Sequence, residues 1–307
     1  MTTTSSSKPK IPVICGPTAA GKTAVGIVLC QALNGEVISA DSRQFYTEMS
    51  IGTAKPTTAE MQGIPHHFID HCSINSPITA GEFERQGDLR IQEILSRKKL
   101  PVVVGGSGLF IRSLIEGLDD LPSDENLRQE LIAQFENEGL PSLLDRLATS
   151  DPAAKKSIDY KNQVRVMRAI ELVELSGKSL AELRDLEKAP KAFEPIWIGI
   201  SPKREALYER IDRRVDQMME AGLETEARSL ISFKDSDALK TVGYRELFSF
   251  FDGEYDLAEA IRLIKRNSRH YAKRQLTWFR KIDGIKWFEP EQVDEVKEYV
   301  KSQVTVI

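Results

Sequence analysis

Eight consecutive residues near the start of the chain have the types and spacing of a phosphate-binding loop. They read Gly-Pro-Thr-Ala-Ala-Gly-Lys-Thr, the pattern G-x-x-x-x-G-K-T. In such a loop the backbone N–H groups surround a phosphate, the lysine adds positive charge and the threonine hydroxyl binds Mg²⁺. We therefore predict that a diphosphate or triphosphate is bound, with Thr23 as the Mg²⁺ ligand. The loop residues are Gly16, Pro17, Thr18, Ala19, Ala20, Gly21, Lys22 and Thr23.

A carboxylate follows the second predicted strand. Residues 36–40 read Glu-Val-Ile-Ser-Ala, and Asp41 comes directly after them. In an open parallel sheet, ligands bind at the carboxyl ends of the strands, so Asp41 is expected beside the phosphate loop. There it could hold Mg²⁺ or take a proton from an attacking nucleophile. The simpler alternative is that Asp41 only caps a helix or a turn.

The elements that position these groups alternate between strand and helix. Apolar runs at 11–15, 36–40 and 101–104 predict strands, a helix is expected over 24–33, and a glycine-rich turn follows at 105–108. This order predicts an α/β fold with a P-loop NTPase-like parallel sheet core. No acid ends the third strand, which argues against a motor ATPase or GTPase. The remaining candidate functions are a small-molecule kinase and another transferase that uses a diphosphate.

The same patterns divide the chain into regions. Residues 121–195 show helical spacing without a convincing strand, whereas a strand pattern returns at 196–200. We predict a catalytic core formed by residues 11–120 and 196–307, interrupted by a helical insertion at 121–195. The polar, Ser/Thr-rich residues 1–10 are expected to form a disordered leader.

A predicted helix near the C-terminus has a strongly basic face. At about 100° per residue, one face of this helix, here called the basic stripe, carries Arg262, Lys265, Arg266, Arg269, Lys273 and Arg280. The apolar side carries Ile261, Ile264, Tyr271 and Trp278. Because residues 261–281 contain no acid, the stripe favours contact with a polyanion such as RNA over a solvated face. Arg165 and Arg168 share a face of the insertion and form a weaker basic cluster.

Composition excludes several other classes. The three cysteines form no C-x-x-C pair, which argues against a zinc ribbon or a disulfide framework and favours a reducing, cytoplasmic compartment. No apolar run approaches the roughly 20 residues that span a bilayer. The adjacent His66 and His67 point in different directions on any regular element, so we expect structural roles for them and for His71 rather than metal binding.

Six blocks of the sequence resemble the bacterial tRNA dimethylallyltransferases. In chain order the blocks are residues 16–23, 41–44, 51–56, 105–109, 242–245 and 273–280. They cover nearly the whole chain, and six ordered blocks are far more specific than one. Two departures are mild: Phe110 stands where the family often has Tyr, and residues 47–50 lack the commoner glycine. The zinc finger that some eukaryotic members append is absent.

This resemblance implies transfer of a dimethylallyl group from dimethylallyl diphosphate to N6 of adenine 37 of tRNA, giving N6-isopentenyladenosine. The phosphate loop would hold the donor's diphosphate, with Lys22, Thr23 and Mg²⁺ offsetting its charge. Asp41 would be the general base. The adenine would have to leave its stack to be reached. A monomer that acts on the anticodon stem-loop is expected.

The resemblance also implies a set of tRNA-binding residues. In the core they are Asp41, Ser42, Arg43, Gln44, Ser107, Thr241, Val242, Gly243, Tyr244, Arg245, Glu246, Lys273, Arg274, Gln275, Leu276, Thr277, Trp278, Phe279 and Arg280. In the insertion they are Val164, Arg165, Val166, Met167 and Arg168. The insertion would hold the anticodon stem-loop from the side opposite the basic stripe.

Three rival interpretations make different predictions. An adenylate isopentenyltransferase, which acts on free AMP, ADP or ATP, would need neither the insertion nor the basic stripe. A small-molecule kinase would consume ATP. A non-enzymatic RNA-binding protein would not need the intact set of Lys22, Thr23 and Asp41.

Overall fold

The computed structural model describes residues 8–117, 122–154, 158–185 and 190–304. The chain divides into two compact units, one formed by residues up to Glu116 and from Lys191 onwards, the other by Gly117–Pro190. The second unit ends before residue 195, because the strand that follows begins at Glu194 and Phe193 already packs in the core of the first unit.

The expected disordered leader mostly lies outside the described residues, since residues 1–7 are not among them. For its last residue the prediction is wrong. Lys10 is the first residue of a strand and pairs with Glu194.

Six strands form a single parallel sheet in the first unit. They are β1 (Lys10–Cys15), β2 (Gly35–Ser39), β3 (His66–His67), β4 (Leu100–Gly105), β5 (Glu194–Ile200) and β6 (Lys286–Phe288). Their order across the sheet is β3-β2-β4-β1-β5-β6, and each neighbouring pair is parallel. β2 and β4 are buried over their whole length, as expected for a sheet covered on both faces. The predicted α/β parallel-sheet class is confirmed.

Helices cover the two faces of this sheet. In the first unit they are α1 (Lys22–Leu33), α2 (Thr58–Met61), α3 (Ala80–Ser96), α4 (Gly108–Glu116), α8 (Arg204–Glu220), α9 (Leu223–Ser229), α10 (Tyr244–Phe251), α11 (Leu257–Phe279) and α12 (Val293–Lys301), with a 3₁₀ turn at Ile231–Phe233. Side chains alternate along β1: Val13 packs in the core that α3 and α4 share, whereas Ile14 packs with α1 and α12.

The second unit has its own helical core. It contains α5 (Glu125–Ser150), α6 (Gln163–Ser176) and α7 (Leu180–Arg184). α5 is interrupted at Gly139, whose φ of 77° is not helical. The buried side chains of the second unit come from all three helices and include Leu131, Leu147, Ile170 and Leu183. The described residues of this unit contain no strand, as the sequence predicts.

Candidate active site

The phosphate loop connects the carboxyl end of β1 to the first turn of α1. The first backbone N–H groups of a helix lack partners within it, so this end of α1 is suited to an anion. Lys22 begins α1, and its Nζ donates a hydrogen bond to the Pro17 carbonyl oxygen at 2.6 Å. Burial lowers the pKa of Lys22 to about 8, although the carboxylate of Asp41 opposes the shift. The loop therefore holds a lysine whose charge is poorly solvated and available to an anion.

Asp41 lies where β2 meets the glycine-rich turn that follows β4. A Cβ at Gly105 would lie 2.2 Å from the Ala40 carbonyl oxygen, so only glycine allows this close approach. The Ser42 N–H donates to Ser107 Oγ at 3.0 Å, and the two hydroxyl oxygens are 3.1 Å apart. Asp41 is thus fixed beside the turn at residues 105–108.

Only one oxygen of the Asp41 carboxylate accepts a hydrogen bond from the described residues. Its Oδ1 accepts a hydrogen bond from the Arg43 N–H at 3.2 Å, so the simpler role of a turn aspartate is present. Among the residues that the structure describes, Oδ2 has no hydrogen-bond partner. One oxygen therefore positions the side chain, and the other remains free to accept a proton.

Arg214 of α8 is a site residue that sequence reasoning missed. Its guanidinium donates to Thr18 Oγ1 at 3.2 Å and to the Thr53 carbonyl oxygen at 3.3 Å. Burial lowers the pKa of Arg214, while Asp41 opposes this effect. The available signal was the spacing of Arg210, Arg214 and Gln217, which places them on one face of a helix. All three line the same cleft.

Gln275 of α11 connects the phosphate loop to the glycine-rich turn. Its Oε1 accepts a hydrogen bond from the Thr18 N–H at 2.8 Å, and its Nε2 donates to the Gly106 carbonyl oxygen at 2.9 Å. The side chain is only 7% exposed. The resemblance implies that Gln275 contacts tRNA. In the structure its amide instead forms hydrogen bonds within the protein and fixes the phosphate loop.

Two cavities meet at Asp41. The larger cleft has a volume of about 940 Å³ and is lined by the phosphate loop from Thr18 onwards, by Lys55 and by the polar face of α8. A smaller pocket of about 90 Å³ is lined by apolar side chains, among them Ile211 and Ile264, and by a similar number of polar ones. Thr18, Asp41 and Arg214 line both. A group bound in the cleft and a group entering from the pocket side would therefore both reach Asp41.

The basic stripe is more strongly paired than its sequence indicates. Arg262 pairs with Glu259, Lys265 with Asp216, and Arg269 with Asp212 at 2.5 Å. Residues 261–281 contain no acid, as the sequence shows, but acids from the first turn of α11 and from α8 pair with these three cations, so the stripe offers a polyanion fewer free charges than expected.

Other cations at the end of α11 and just beyond it remain available. Lys273, Arg274 and Arg280 are exposed and form no ion pair within the described part of the chain. Trp278, expected on the apolar side, is 38% exposed. Its indole lies against Gly108, where a Cβ would be 2.3 Å from Nε1. The end of α11 therefore presents cations and an aromatic ring together.

The structure divides the expected tRNA-binding residues into two groups. The buried side chains, which pack inside the protein and cannot offer a surface, are those of Val166, Tyr244, Glu246, Gln275 and Phe279. Arg43 is also engaged internally, donating to the carbonyl oxygens of Asp237 and Ala238. Ser42 and Ser107 remain partly exposed beside Asp41.

In the second unit the two expected arginines differ. Arg168 donates to Glu171 at 2.6 Å and to the Pro122 carbonyl oxygen at 3.0 Å, so it stabilises the unit. Arg165 is exposed, with Asp159 at 3.6 Å, and Val164 is 68% exposed. The surface of α6 that could meet a ligand is therefore smaller than predicted.

The oxygen atoms near the phosphate loop suit a hard cation. The described residues contain no group of three or more His, Cys, Asp or Glu that could hold a metal. The Thr23 hydroxyl and Asp41 line the same cleft. Mg²⁺ prefers oxygen ligands, keeps several waters and is often held by one or two protein groups together with a phosphate. The residues present therefore fit Mg²⁺ bound with a diphosphate.

The three histidines have structural partners, as expected. His67 Nε2 is 2.8 Å from Glu36 Oε2, His66 Nδ1 is 2.8 Å from the Ile64 carbonyl oxygen, and His71 Nε2 is 2.8 Å from Gln86 Oε1. None of the described helices is long and apolar enough to cross a membrane.

Comparison with known proteins identifies the family. Residues 44–282 match the family model described as IPP transferase, which is most of the chain. The chain belongs to the IPP transferase family. The tRNA dimethylallyltransferase of Cytophaga hutchinsonii is 47% identical over 293 residues, which cover 95% of this chain and 96% of that protein.

Solved structures of IPP transferase relatives have the same fold. The full-length tRNA isopentenylpyrophosphate transferase of Bacillus halodurans is 40% identical, with a TM-score of 0.72 over 96% of each chain. A eukaryotic dimethylallyltransferase, solved acting on tRNA, is 27% identical, with a TM-score of 0.82 over 96% of this chain and 77% of that one. The phosphate loop and Asp41 precede the matched residues 44–282, so the family model does not by itself assign roles to them.

Proposed function

We propose that this protein transfers a dimethylallyl group from dimethylallyl diphosphate to N6 of adenine 37 in the anticodon stem-loop of tRNA. The observation that carries this proposal is the position of Asp41 on the wall shared by two cavities, one of them lined by the phosphate loop. A kinase would use such a loop for ATP, but the relatives described above are named for tRNA prenylation. We further propose that the enzyme acts as a monomer in the cytoplasm.

The donor's diphosphate would occupy the larger cleft. Backbone N–H groups of the phosphate loop, Lys22 and Arg214 would surround its oxygens. Thr23, with Asp41 nearby, would hold Mg²⁺, which when bound adds positive charge beside the diphosphate. Fixed donors and cations of this kind stabilise charge that develops on a leaving group.

The chemical step joins the adenine N6 to the allylic carbon. The N6 lone pair forms the new C–N bond, the allylic C–O bond breaks, and its electron pair leaves with the diphosphate. Asp41 Oδ2 takes the proton that N6 loses. Because an exocyclic amine is a weak nucleophile, we expect both leaving-group stabilisation and proton removal to contribute to the rate.

The acceptor would be held by the exposed groups around Asp41. Lys273, Arg274 and Arg280 would contact phosphates, and Trp278 offers a ring on which an unpaired base can stack. In the second unit, Val164 and Arg165 remain exposed for the stem-loop. Phosphate contacts hold the tRNA in register, and base extrusion brings N6 to Asp41.

Transfer of label from allyl-labelled dimethylallyl diphosphate tests this function, with unmodified tRNA and AMP compared as acceptors. We expect label in tRNA, and a decrease in kcat of about 10²–10⁴-fold in Asp41→Ala and Asp41→Asn, the usual scale for loss of a general base. Asp237→Asn changes a carboxylate that is 96% exposed, and it should act like the wild type.

Three outcomes would contradict parts of the proposal. Label only in AMP would identify an enzyme that acts on free nucleotides. Phosphate transfer from ATP without prenyl transfer would identify a kinase. Normal turnover in Asp41→Asn would exclude Asp41 as the base.

A further inference from the structure

One carboxylate outside the catalytic groups accepts four hydrogen bonds. Glu226 of α9 uses Oε2 for the N–H groups of Ser50 and Ile51, at 3.0 and 2.7 Å. Its Oε1 accepts from the Gly52 N–H at 2.9 Å and from the Tyr244 hydroxyl at 2.6 Å. An amide side chain has a single acceptor oxygen, so only a carboxylate can serve all four donors.

Tyr244 and Gly52 fix the same loop from the other side. Tyr244 is fully buried, and a Cβ at Gly52 would lie 2.6 Å from two of its ring atoms. Glycine is therefore required for the ring to reach Glu226. Burial, with the nearby Glu226 carboxylate, raises the pKa of Tyr244, so its hydroxyl stays a hydrogen-bond donor.

The loop held by Glu226 forms part of the donor cleft. Ile51 and Lys55 line the cleft, and Lys55 Nζ donates to the Tyr46 carbonyl oxygen at 2.7 Å. The Thr53 carbonyl oxygen accepts from Arg214 Nη2 at 3.3 Å and from Gln44 Nε2 at 3.2 Å. The position of residues 50–55 therefore fixes the Thr53 carbonyl oxygen, one of the two acceptors that hold the Arg214 guanidinium.

Arg214 completes the connection to the phosphate loop. Its Nη1 donates to Thr18 Oγ1 at 3.2 Å, so the guanidinium spans the loop at residues 50–55 and the phosphate loop. An arginine held by two fixed acceptors presents its remaining N–H donors in a defined direction. A shift of Thr53 would turn those donors away from an anion in the cleft.

We propose that Glu226 is a positioning residue for diphosphate binding: with Tyr244 and Gly52 it fixes residues 50–55, and through Thr53 it orients Arg214 toward the donor's diphosphate. This inference rests on the proposed function for the identity of the anion. It also gives the Val242–Arg245 block a role other than tRNA contact, because its tyrosine acts inside the protein.

The test is titration calorimetry with inorganic diphosphate and Mg²⁺, followed by dimethylallyl diphosphate. Glu226→Gln and Gly52→Ala should each weaken diphosphate binding about tenfold, the effect of misplacing one charged hydrogen bond. Tyr244→Phe should weaken it less, because three backbone donors remain. Glu224→Gln is the matched control, since Glu224 lies on the same helix and pairs only with Arg228 among the residues described. Affinity for tRNA should stay unchanged in all four variants.

A double-mutant cycle with Arg214→Lys separates positioning from a general structural role. If Glu226 acts through Arg214, Glu226→Gln should add little to the loss of affinity caused by Arg214→Lys, whereas independent effects would add. Additive losses would overturn the proposal, as would wild-type diphosphate affinity in folded Glu226→Gln or Gly52→Ala. If Glu226→Gln fails to fold, Glu226→Asp, which keeps the charge but shortens its reach, decides in its place.

The same experiment distinguishes this inference from the proposed function. Binding of inorganic diphosphate requires no prenyl transfer. A wild-type protein that binds diphosphate with the predicted variant pattern, yet transfers no label to tRNA, would contradict the proposed function and leave the role of Glu226 intact. Label transfer to tRNA by the wild type, with unaltered diphosphate binding in every folded variant, would contradict the role of Glu226 and leave the proposed function intact.

Discussion

The lowered pKa of Lys22 predicts that binding of the proposed donor depends on pH near neutrality. Burial lowers this pKa to about 8, and Asp41 offsets only part of the effect. A lysine with an ordinary pKa of about 10.4 keeps its charge up to pH 9. Lys22 instead loses its positive charge as the pH rises from 7 to 9. The attraction between the phosphate loop and the donor's diphosphate should weaken over the same interval.

The size of this effect follows from the fraction of Lys22 that is charged. If only the charged form binds the donor tightly, the apparent Kd is multiplied by 1 + 10^(pH − pKa). With the pKa at about 8, the factor rises from roughly 1.1 at pH 7 to roughly 11 at pH 9, a tenfold loss worth about 1.4 kcal/mol. The donor's own ionisation changes little, because the second pKa of a phosphate group is about 6.

Titration calorimetry with dimethylallyl diphosphate from pH 7 to pH 9, at constant Mg²⁺, measures this dependence. Lys22→Met should bind weakly at every pH, without the tenfold change. Lys22→Arg keeps its charge over the whole range and should also lack the change. A wild-type Kd that is flat with pH would refute the reasoning. So would a tenfold change that persists in Lys22→Met.

Three further predictions concern tRNA binding, acid stability and the phosphate loop. Replacing Lys273 and Arg274 by Gln should weaken tRNA binding and reduce the slope of log K against log salt by about 0.7–0.9 for each phosphate that is no longer neutralised; Arg262→Gln, whose cation is already paired, should leave the slope unchanged. Burial raises the pKa of Glu36, but hydrogen bonds from Lys99, His67 and Arg97 outweigh it and lower that pKa to about 2. The stabilisation that ionised Glu36 gives the folded state is therefore complete above pH 4.5 and is lost as the pH falls through about 2. Urea unfolding should show Glu36→Gln less stable than the wild type by about 1–3 kcal/mol at pH 7 and the two nearly equal once the pH is below that range. Gln275→Leu should weaken donor binding about tenfold in calorimetry without changing tRNA affinity; unchanged donor binding would show that the Thr18 and Gly106 hydrogen bonds are dispensable.

The parts of the site that sequence could predict are those encoded by short segments. The phosphate loop at residues 16–23 and Asp41 each follow a strand directly, so the direction of a parallel sheet places them at one edge. The order of strands and helices likewise predicts the α/β class, because connections between parallel strands are restricted in length and hand.

The missed parts depend on side chains that come from distant segments. Arg214 contacts Thr18 and Thr53 from a helix that follows the insertion. No local sequence pattern predicts which loop a helix face will contact. The basic stripe was misjudged for the same reason, since Asp212 and Asp216 neutralise it from α8. Glutamine is usually a surface residue, yet the amide oxygen and the amide nitrogen of Gln275 both form hydrogen bonds inside the protein.

The order of the sheet also constrains how the protein is made. β1 precedes the phosphate loop, and one of its two neighbours, β5, follows the insertion: Lys10 pairs with Glu194, more than half the chain later. During synthesis, β1 therefore keeps an unpaired edge while the whole second unit leaves the ribosome. Pairings this far apart in sequence form slowly, and an exposed strand edge can pair with another chain. The phosphate loop is therefore synthesised early, whereas the sheet that supports it is completed late, and we expect the edge of β1 to be open to pairing with another chain until β5 emerges.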